Sequence, residues 1–405
     1  MPEAVIVATA RSPIGRAVKG SLKDMRPDDL AVQMVQAALA KVPELDQTEI
    51  DDLVLGCGQP AGESGNNLAR VVAVLAGMDH LPGTTVNRYC ASSLQSTRMA
   101  MHAIRAGEGD AFISAGVETV SRYVKGNADG LPDTKNPVFA DPQSRTEKLA
   151  SGGQTWVDPR SDGLLPDVYI AMGQTAENVA QLKGITREEQ DAFGVRSQNL
   201  AEKAIADGFW ARDITPVTLP DGTQVTQDDG PRSGVTKEAV SALQPVFRPD
   251  GTVTAGNCCP LNDGAAAVVI MSEAKAKQLG ITPLARIVST GVTGLSPEIM
   301  GLGPVEASRQ ALARAGLSID DIDLVEINEA FAAQVIPSAR ELGVDEEKLN
   351  VNGGAIAVGH PFGMTGARIT STLINSLQYH DKQFGLETMC VGGGQGMAMV
   401  LERLS

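Results

Sequence analysis

The sequence predicts an α/β protein made of two similar halves, with a loop-rich segment inserted in the first. Three observations carry this. Strand and helix signals alternate over the first 118 residues and resume near Val268-Val269-Ile270. A weak internal repeat links the two stretches. Between them, residues 119–250 hold ten of the 22 prolines and both tryptophans, which breaks the rhythm. The expected organisation is therefore an N-terminal half of residues 1–118 and 251–275, a loop domain of residues 119–250, and a C-terminal half of residues 276–405.

Val5–Ala8 reads as the first strand. Asp28 or Asp29 can cap a helix whose apolar face runs through Leu30, Met34, Ala37 and Ala38. Ile50 to Gly56 is a short buried strand. Leu94, Met101 and Ile104 share one helix face, and Gly107 stops that helix. Ala111–Gly116 is the next strand. Within the insertion, Thr186 and Glu189 form a capping-box pattern ahead of Phe193, Leu200 and Ala204, with Gly208 closing the helix. Ala285–Val288 returns to strand.

The repeat aligns Gln36-Ala37-Ala38-Leu39 and Ile50-Asp51-Asp52-Leu53-Val54 with Gln310-Ala311-Leu312-Ala313 and Ile322-Asp323-Leu324-Val325. Each copy continues into a turn, a helix and a strand. The first turn holds Cys90 and the second holds His360. The two residues thus occupy matching strand-to-helix corners, and a pseudo-dyad would bring both corners, with their helix N-termini, to one site.

The 405 residues are 42% hydrophobic and 20% charged, a globular composition. The net charge of -15 argues against a nucleic-acid or anionic-membrane binder, since both need a basic face. A small anionic ligand held by a local patch stays open. No apolar run is long enough to span a bilayer. No signal or transit pattern precedes Ala4-Val5-Ile6, and Arg403-Leu404-Ser405 is not a peroxisomal address. The five cysteines contain no C-x-x-C pair, so neither a zinc site nor a disulfide framework is expected. A reducing, cytoplasmic setting follows as the expectation.

Cys90, in Asn87-Arg88-Tyr89-Cys90-Ala91-Ser92-Ser93, sits at a helix start, where the dipole favours thiolate and hence a nucleophile. Read alone, such a cysteine is more often a small buried hydrophobe. His360 lies in a glycine-rich loop, Gly353 to Gly366, and suits a general base; the bland alternative is a loop histidine satisfying backbone groups. Cys390 precedes Gly392-Gly393-Gly394-Gln395-Gly396 and could share a site with exposed amides, or simply end a strand. Asn328, in Asn328-Glu329-Ala330-Phe331, can hold a water or an oxyanion, or cap a helix. Gly56-Cys57-Gly58-Gln59-Pro60-Ala61 fits a dinucleotide fingerprint, but Pro60 and a late helix start make it a loop.

Together these blocks resemble the thiolases, acyl-CoA acyltransferases, over essentially the whole chain. Val86 to Ser92, Asn328 to Ala332 with Gly353 to Gly366, and Cys390 to Gly394 carry the likeness. Asp250 to Asn257 and Met172 to Glu177 add to it. The resemblance implies the thiolase fold, two α/β halves in an αβαβα stack with an inserted coenzyme A-binding loop domain. It implies that Cys90 takes the acyl group as a thioester. His360 would accept the Cys90 proton and later help bind the thioester oxygen of the second substrate. Asn328 would hold the water completing that oxyanion hole. Cys390 would be acid and base at the substrate α-carbon. The amides of Cys90 and Gly392 would form the second oxyanion hole. Arg232, Met172, Ala255, Cys259 and Phe331 would contact coenzyme A, Arg232 at its nucleotide end unless it pairs with Asp228-Asp229.

Coenzyme A would be a cosubstrate, with no permanently bound cofactor and no metal. The implied reaction cleaves a 3-oxoacyl-CoA with coenzyme A to acetyl-CoA or propionyl-CoA and a shortened acyl-CoA, reversibly as a Claisen condensation. A homodimer or homotetramer is implied as well. Several positions depart from the common pattern: Ser93 for Gly, Ala171 before Met172-Gly173, and Cys259-Pro260 for a Ser of the coenzyme A loop. Arg88-Tyr89 and Gln95 look like the degradative 3-ketoacyl branch. The rivals are an acetoacetyl-CoA-forming biosynthetic thiolase, a carrier-protein condensing synthase, whose second active-site His has no match here, and a non-catalytic lipid-binding subunit.

Overall fold

The computed structural model describes residues 2–127, 130 and 132–405. Twelve strands are assigned: β1 (Ala4–Arg11), β2 (Gly15–Arg16), β3 (Asp52–Gly56), β4 (Gly83–Val86), β5 (Ala111–Thr119), β6 (Val217–Thr218), β7 (Gln224–Val225), β8 (Asn262–Ser272), β9 (Ala285–Gly294), β10 (Leu324–Ile327), β11 (Phe384–Val391) and β12 (Gln395–Arg403). The main sheet runs β4-β3-β5-β8-β1-β9-β12-β11-β10, with β2 on β8, while β6 and β7 form a separate ribbon.

The internal repeat is visible in the pairing. β3 lies parallel to β5, β5 antiparallel to β8, and β8 antiparallel to β1. In the second half β10 lies parallel to β11, β11 antiparallel to β12, and β12 antiparallel to β9. The counterpart of β4 shrinks to a single bridge between Val325 and Leu349. The halves meet at β1 and β9, through the register pairs Val5–Arg286 and Ile6–Ala285.

Side-chain alternation builds the layers. On β8, Ala265, Ala267, Val269 and Met271 pack with Leu30 and Met34 of the helix Pro27–Leu39 and Leu68 and Val72 of the helix Leu68–Leu75. Ala266, Val268 and Ile270 face the other way, onto Leu94 and Met101 of the helix Ser92–Ala106 and Leu373 of the helix Thr365–Tyr379. Met397, Met399 and Leu401 of β12 close on the same two helices from the other side. Ala398 and Val400 turn outward to Ala311 of the helix Gly303–Ala315 and Val335 of the helix Ala332–Leu342. The result is helix, sheet, helix, sheet, helix. Because β8 is covered on both faces, all eleven of its residues are buried, and its stretch from Gly264 to Met271 reads as one apolar run.

The two central helices approach closely. A Cβ on Gly366 would collide with the Leu94 backbone nitrogen. At the adjacent residues, the Ala367 N–H donates to Ser93 Oγ at 2.8 Å, so Ser93 ties the two helices together.

Two local expectations change. The first helix starts at Pro27, with Arg26 rather than Asp28 or Asp29 as its cap. Proline's fixed φ suits the first helical position, and Asp28 instead binds the Arg26 guanidinium at 2.9 and 3.0 Å. Met172–Lys183 is a helix that the sequence reading leaves unassigned. Its buried face carries Gln174, Glu177 and Asn178, which hides it from an apolar-period search. Glu177 accepts the Thr252 and Val253 N–H groups, and Gln174 and Asn178 accept from Arg248. The capping box at Thr186 and Glu189 does open a helix, Arg187–Ala206. Among the described residues no helix is long and apolar enough to cross a membrane.

Candidate active site

Cys90 sits in an elbow after β4. Asn87 Oδ1 accepts the Tyr89 N–H at 2.7 Å, and Ser92 Oγ accepts the Arg88 N–H at 2.9 Å while donating to the Tyr89 carbonyl at 2.6 Å. These bonds hold Tyr89 at a φ of 43°, a left-handed conformation that costs a bulky residue energy and recurs at functional sites. A single 3-10 turn, Tyr89–Ala91, then feeds the helix Ser92–Ala106. The Cys90 thiol is pushed up to about 12 by burial; the Gly392 N–H and its own N–H pull the other way, and the Glu118 charge pushes up further. The helix-start argument alone expects a thiolate. Burial outweighs it, and the thiol rests protonated.

His360 follows Gly359, whose φ of 113° lets the loop turn. The His360 N–H donates to Asn262 Oδ1 at 2.9 Å. Thr365 Oγ1 donates to the Pro361 carbonyl at 2.7 Å and lies 2.6 Å from His360 Nδ1. A carbonyl oxygen can only accept, so the single Thr365 hydrogen is committed there. Nδ1 must then be the donor, and we assign the tautomer with Nδ1–H and an unprotonated Nε2. Burial, and then the charge of Arg368, lower the ring to about 3, so it is a neutral base. Asn328 Nδ2 stands 3.3 Å from Nε2 and 3.4 Å from Nδ1.

Cys390 is the penultimate residue of β11 and is fully buried. Burial raises its thiol well above the ordinary value, and the proximity of Cys90 adds to that. Its neighbours include Met300, Phe331, Met172, Phe247, Cys258 and Cys259. The following turn, with Gly393 at φ 75° and Gly394 at 82°, aims the Gly392 amide at the Cys90 sulfur.

A cleft of about 470 Å³ opens onto Cys90 and Gly392, walled by Gly58, Gln59, Tyr89, Lys135, Tyr169, Ile170, Met172 and Phe362. His360 and Cys390 lie behind this wall; His360 meets the Phe362 ring edge to face at 5.3 Å. Of the residues assigned to coenzyme A, Met172 lines the cleft. Cys259, whose N–H donates to the Ala330 carbonyl, and Phe331, packed edge to face on Phe247 at 6.1 Å, lie in the cluster around Cys390. Ala255 is exposed on the turn Thr254–Asn257. Arg232 is exposed, anchored through its own N–H to Gln198. It makes no ion pair among the described residues: Asp228 is taken by Arg11, and Asp229 by the Arg16 and Ser21 amides.

Sequence reasoning passes over Thr365, Arg368 and Glu118. Glu118 accepts the N–H groups of Gly58, Gln59 and Gly363 at 2.7, 3.2 and 2.8 Å and the Tyr123 hydroxyl at 2.9 Å. The amides of the apparent dinucleotide fingerprint are thus satisfied by an internal carboxylate, which places that motif as a loop. No local signal marks Glu118, because Gly363 is 245 positions away. No group of three or more His, Cys, Asp or Glu arranged to hold a metal occurs among the described residues.

The layered fold and a cysteine elbow with a second buried cysteine beside it are those of an acyl-transfer protein, and comparison with known proteins agrees. Residues 4–274 match the family model "Thiolase, N-terminal domain", and residues 281–403 match "Thiolase, C-terminal domain". A 3-ketoacyl-CoA thiolase of Bacillus subtilis is 44% identical, covering 99% of this chain and all of that one. A 3-oxoadipyl-CoA/3-oxo-5,6-dehydrosuberyl-CoA thiolase of Escherichia coli is 43% identical over the full length of both. The crystal structure of a Bacillus anthracis acetyl-CoA acetyltransferase superposes with a TM-score of 0.85 at 40% identity, covering 100% of this chain and 99% of that one. The chain belongs to the thiolase family.

Proposed function

We propose that this thiolase cleaves 3-oxoacyl-CoA with coenzyme A, and runs in reverse as a Claisen condensation. The supporting observation is the Cys90 elbow. A protonated thiol faces an open cleft with two amides on its sulfur, and a neutral histidine with an unprotonated Nε2 stands against Phe362. In cleavage, His360 takes the Cys90 proton as the sulfur attacks the 3-oxo carbon. The charge on that oxygen falls to the Cys90 and Gly392 amides. The C2–C3 bond breaks, its electron pair forms the enolate of the leaving acyl-CoA, and Cys390 protonates C2. Coenzyme A then displaces the acyl group from Cys90. In this reading Asn328, through a bound water, and His360 bind the enolate oxygen.

Residues 119–250 serve as the coenzyme A-binding domain, between halves formed by residues 1–118 with 251–275 and by residues 276–405. Met172, Cys259, Phe331 and Ala255 flank the pantetheine arm, and Arg232 meets the nucleotide end. The five cysteines are all free, which suits a reducing, cytoplasmic setting. The edge strand β4 is half-buried along its length and offers a pairing edge for a homodimer or homotetramer.

The test is release of acetyl-CoA from acetoacetyl-CoA plus coenzyme A, with the acyl adduct mapped by mass spectrometry. Adduct on Cys390 or Cys57 with Cys90 free, or no turnover across a panel of 3-oxoacyl-CoA esters, would reject the reading. A specific observation favours a second substrate class. Lys135 lines the cleft, its Nζ 5.4 Å over the Tyr169 ring, and can meet an acyl chain that ends in a carboxylate. Lys135→Ala should then raise KM for 3-oxoadipyl-CoA about tenfold, as loss of a charge-assisted contact does, and leave acetoacetyl-CoA unchanged. Equal effects on both esters would remove Lys135 from selectivity.

A further inference from the structure

Arg368 lies in the first turn of the helix Thr365–Tyr379 and is fully buried. It has no carboxylate within ion-pair distance among the described residues. One hydrogen bond is resolved for it, from Nη2 to Asn328 Oδ1 at 3.4 Å. Nε and Nη1 find no acceptor among the described residues. Opposite charge reaches it from Glu326 on β10, from Asp213 and from Asp228, like charge from Arg11; Glu387 on β11 also feels it. A buried cation without close pairing is costly, and an apolar side chain of similar volume is commonly at least as stable there. Packing therefore gives no reason for an arginine at this position.

Its neighbour does. The two ends of an asparagine amide are alike in shape but opposite in hydrogen-bonding sense. A guanidinium only donates, so it selects Oδ1 and turns Nδ2–H₂ away from itself. That is where Nδ2 stands, 3.3 Å from His360 Nε2. We propose that Arg368 is a positioning residue for the carbon–carbon step: it fixes Asn328 as a hydrogen-bond donor beside His360 and sets a permanent positive charge behind the enolate oxygen. The inference rests on the thiolase reading above. The enolate oxygen carries the electron pair of the broken C2–C3 bond, so the effect is confined to making or breaking that bond. Transfer of an acyl group between thiols through Cys90 creates no enolate and does not need it.

Two reactions of the full-length protein separate these roles: thiolysis of acetoacetyl-CoA, and exchange of acetyl between acetyl-CoA and labelled coenzyme A. Arg368→Met should lower kcat for thiolysis about ten- to a hundredfold, somewhat less than loss of an oxyanion donor itself, with KM little changed and exchange within about threefold. In an Asn328→Ala background the same substitution should cost clearly less, because the positioning part of its effect is gone and only the charge remains. Arg368→Lys, which keeps the charge but not the fork, should fall between, and serves if the Met variant does not fold. Equal loss of thiolysis and exchange, or full additivity with Asn328→Ala, would overturn the proposal. Selective ¹⁵N labelling of the four histidines gives a readout without turnover: the His360 ring signals should shift in Arg368→Met at constant pH. Unshifted signals also overturn it, whereas a wild-type protein inactive in both reactions rejects the thiolase reading instead.

Discussion

At the scale of single residues, Cys90 and His360 rest as a neutral pair. The thiol is pushed up to about 12 and the imidazole down to about 3, so a thiolate–imidazolium pair is not the resting form. Proton transfer must accompany attack on the substrate carbon. Alkylation of Cys90 by iodoacetamide should therefore be slow at pH 7 and still climbing at pH 9; a plateau near neutrality would contradict the neutral pair. Thr365 controls which imidazole nitrogen is free. Thr365→Val removes the acceptor for Nδ1–H and should cost about ten- to a hundredfold in kcat, part of the 10²- to 10⁴-fold that a positioned base contributes. Thr365→Ser should restore most of it. Comparable activity of the Val and wild-type proteins would show that the tautomer is set elsewhere.

At the scale of elements, the two central helices carry the site, and their contact sets how the corners face each other. Gly366→Ala places a methyl group against the Leu94 backbone, which cannot yield as a flexible side chain would. The expected loss is about 3 kcal/mol, at the upper end for overpacking, read as a lower urea midpoint with kcat reduced in parallel. The sequence shows these helices well, because Leu94, Met101 and Ile104 keep a plain helical period. It also shows Cys90 and His360, since each follows a turn in matching repeats. Thr365, Arg368 and Glu118 are invisible by the same means. Their meaning lies in partners across the fold, such as Glu118 with Gly363, or in a hydrogen atom's direction, as for Thr365 with Pro361. The helix Met172–Lys183 escapes because its inward face is polar and satisfied by the segment around Arg248 and Thr252.

At the scale of the whole molecule, buried acids should shape stability. Burial lifts Glu326 to about 8 and Asp263 to about 6. A carboxyl raised on folding binds more protons folded than unfolded. Its stabilisation is full below the ordinary carboxyl value and is lost as pH rises through the folded value. His360 acts in the opposite sense, but only between about 3 and its ordinary value near 6.5. Above pH 6.5 the raised acids remain, joined toward pH 8.5 by the buried thiols, which burial also raises, so urea midpoints should fall from pH 6.5 to 8.5. Glu326→Gln should flatten that slope; an unchanged slope would exclude Glu326 as its source.

The seam at β1 has a consequence for how the chain is made. Residues Ala4–Arg11 are made long before either neighbour, yet they pair with Asn262–Ser272 on one side and Ala285–Gly294 on the other. Residue 262 is 251 positions beyond residue 11, so at about 5–20 residues per second the opening strand waits roughly 13–50 seconds for its neighbour. During synthesis both of its edges are open, and its residues, all buried in the finished molecule, are exposed to nascent-chain chaperones. The hydrogen bonds that join the halves are thus also the last that the N-terminal strand can form.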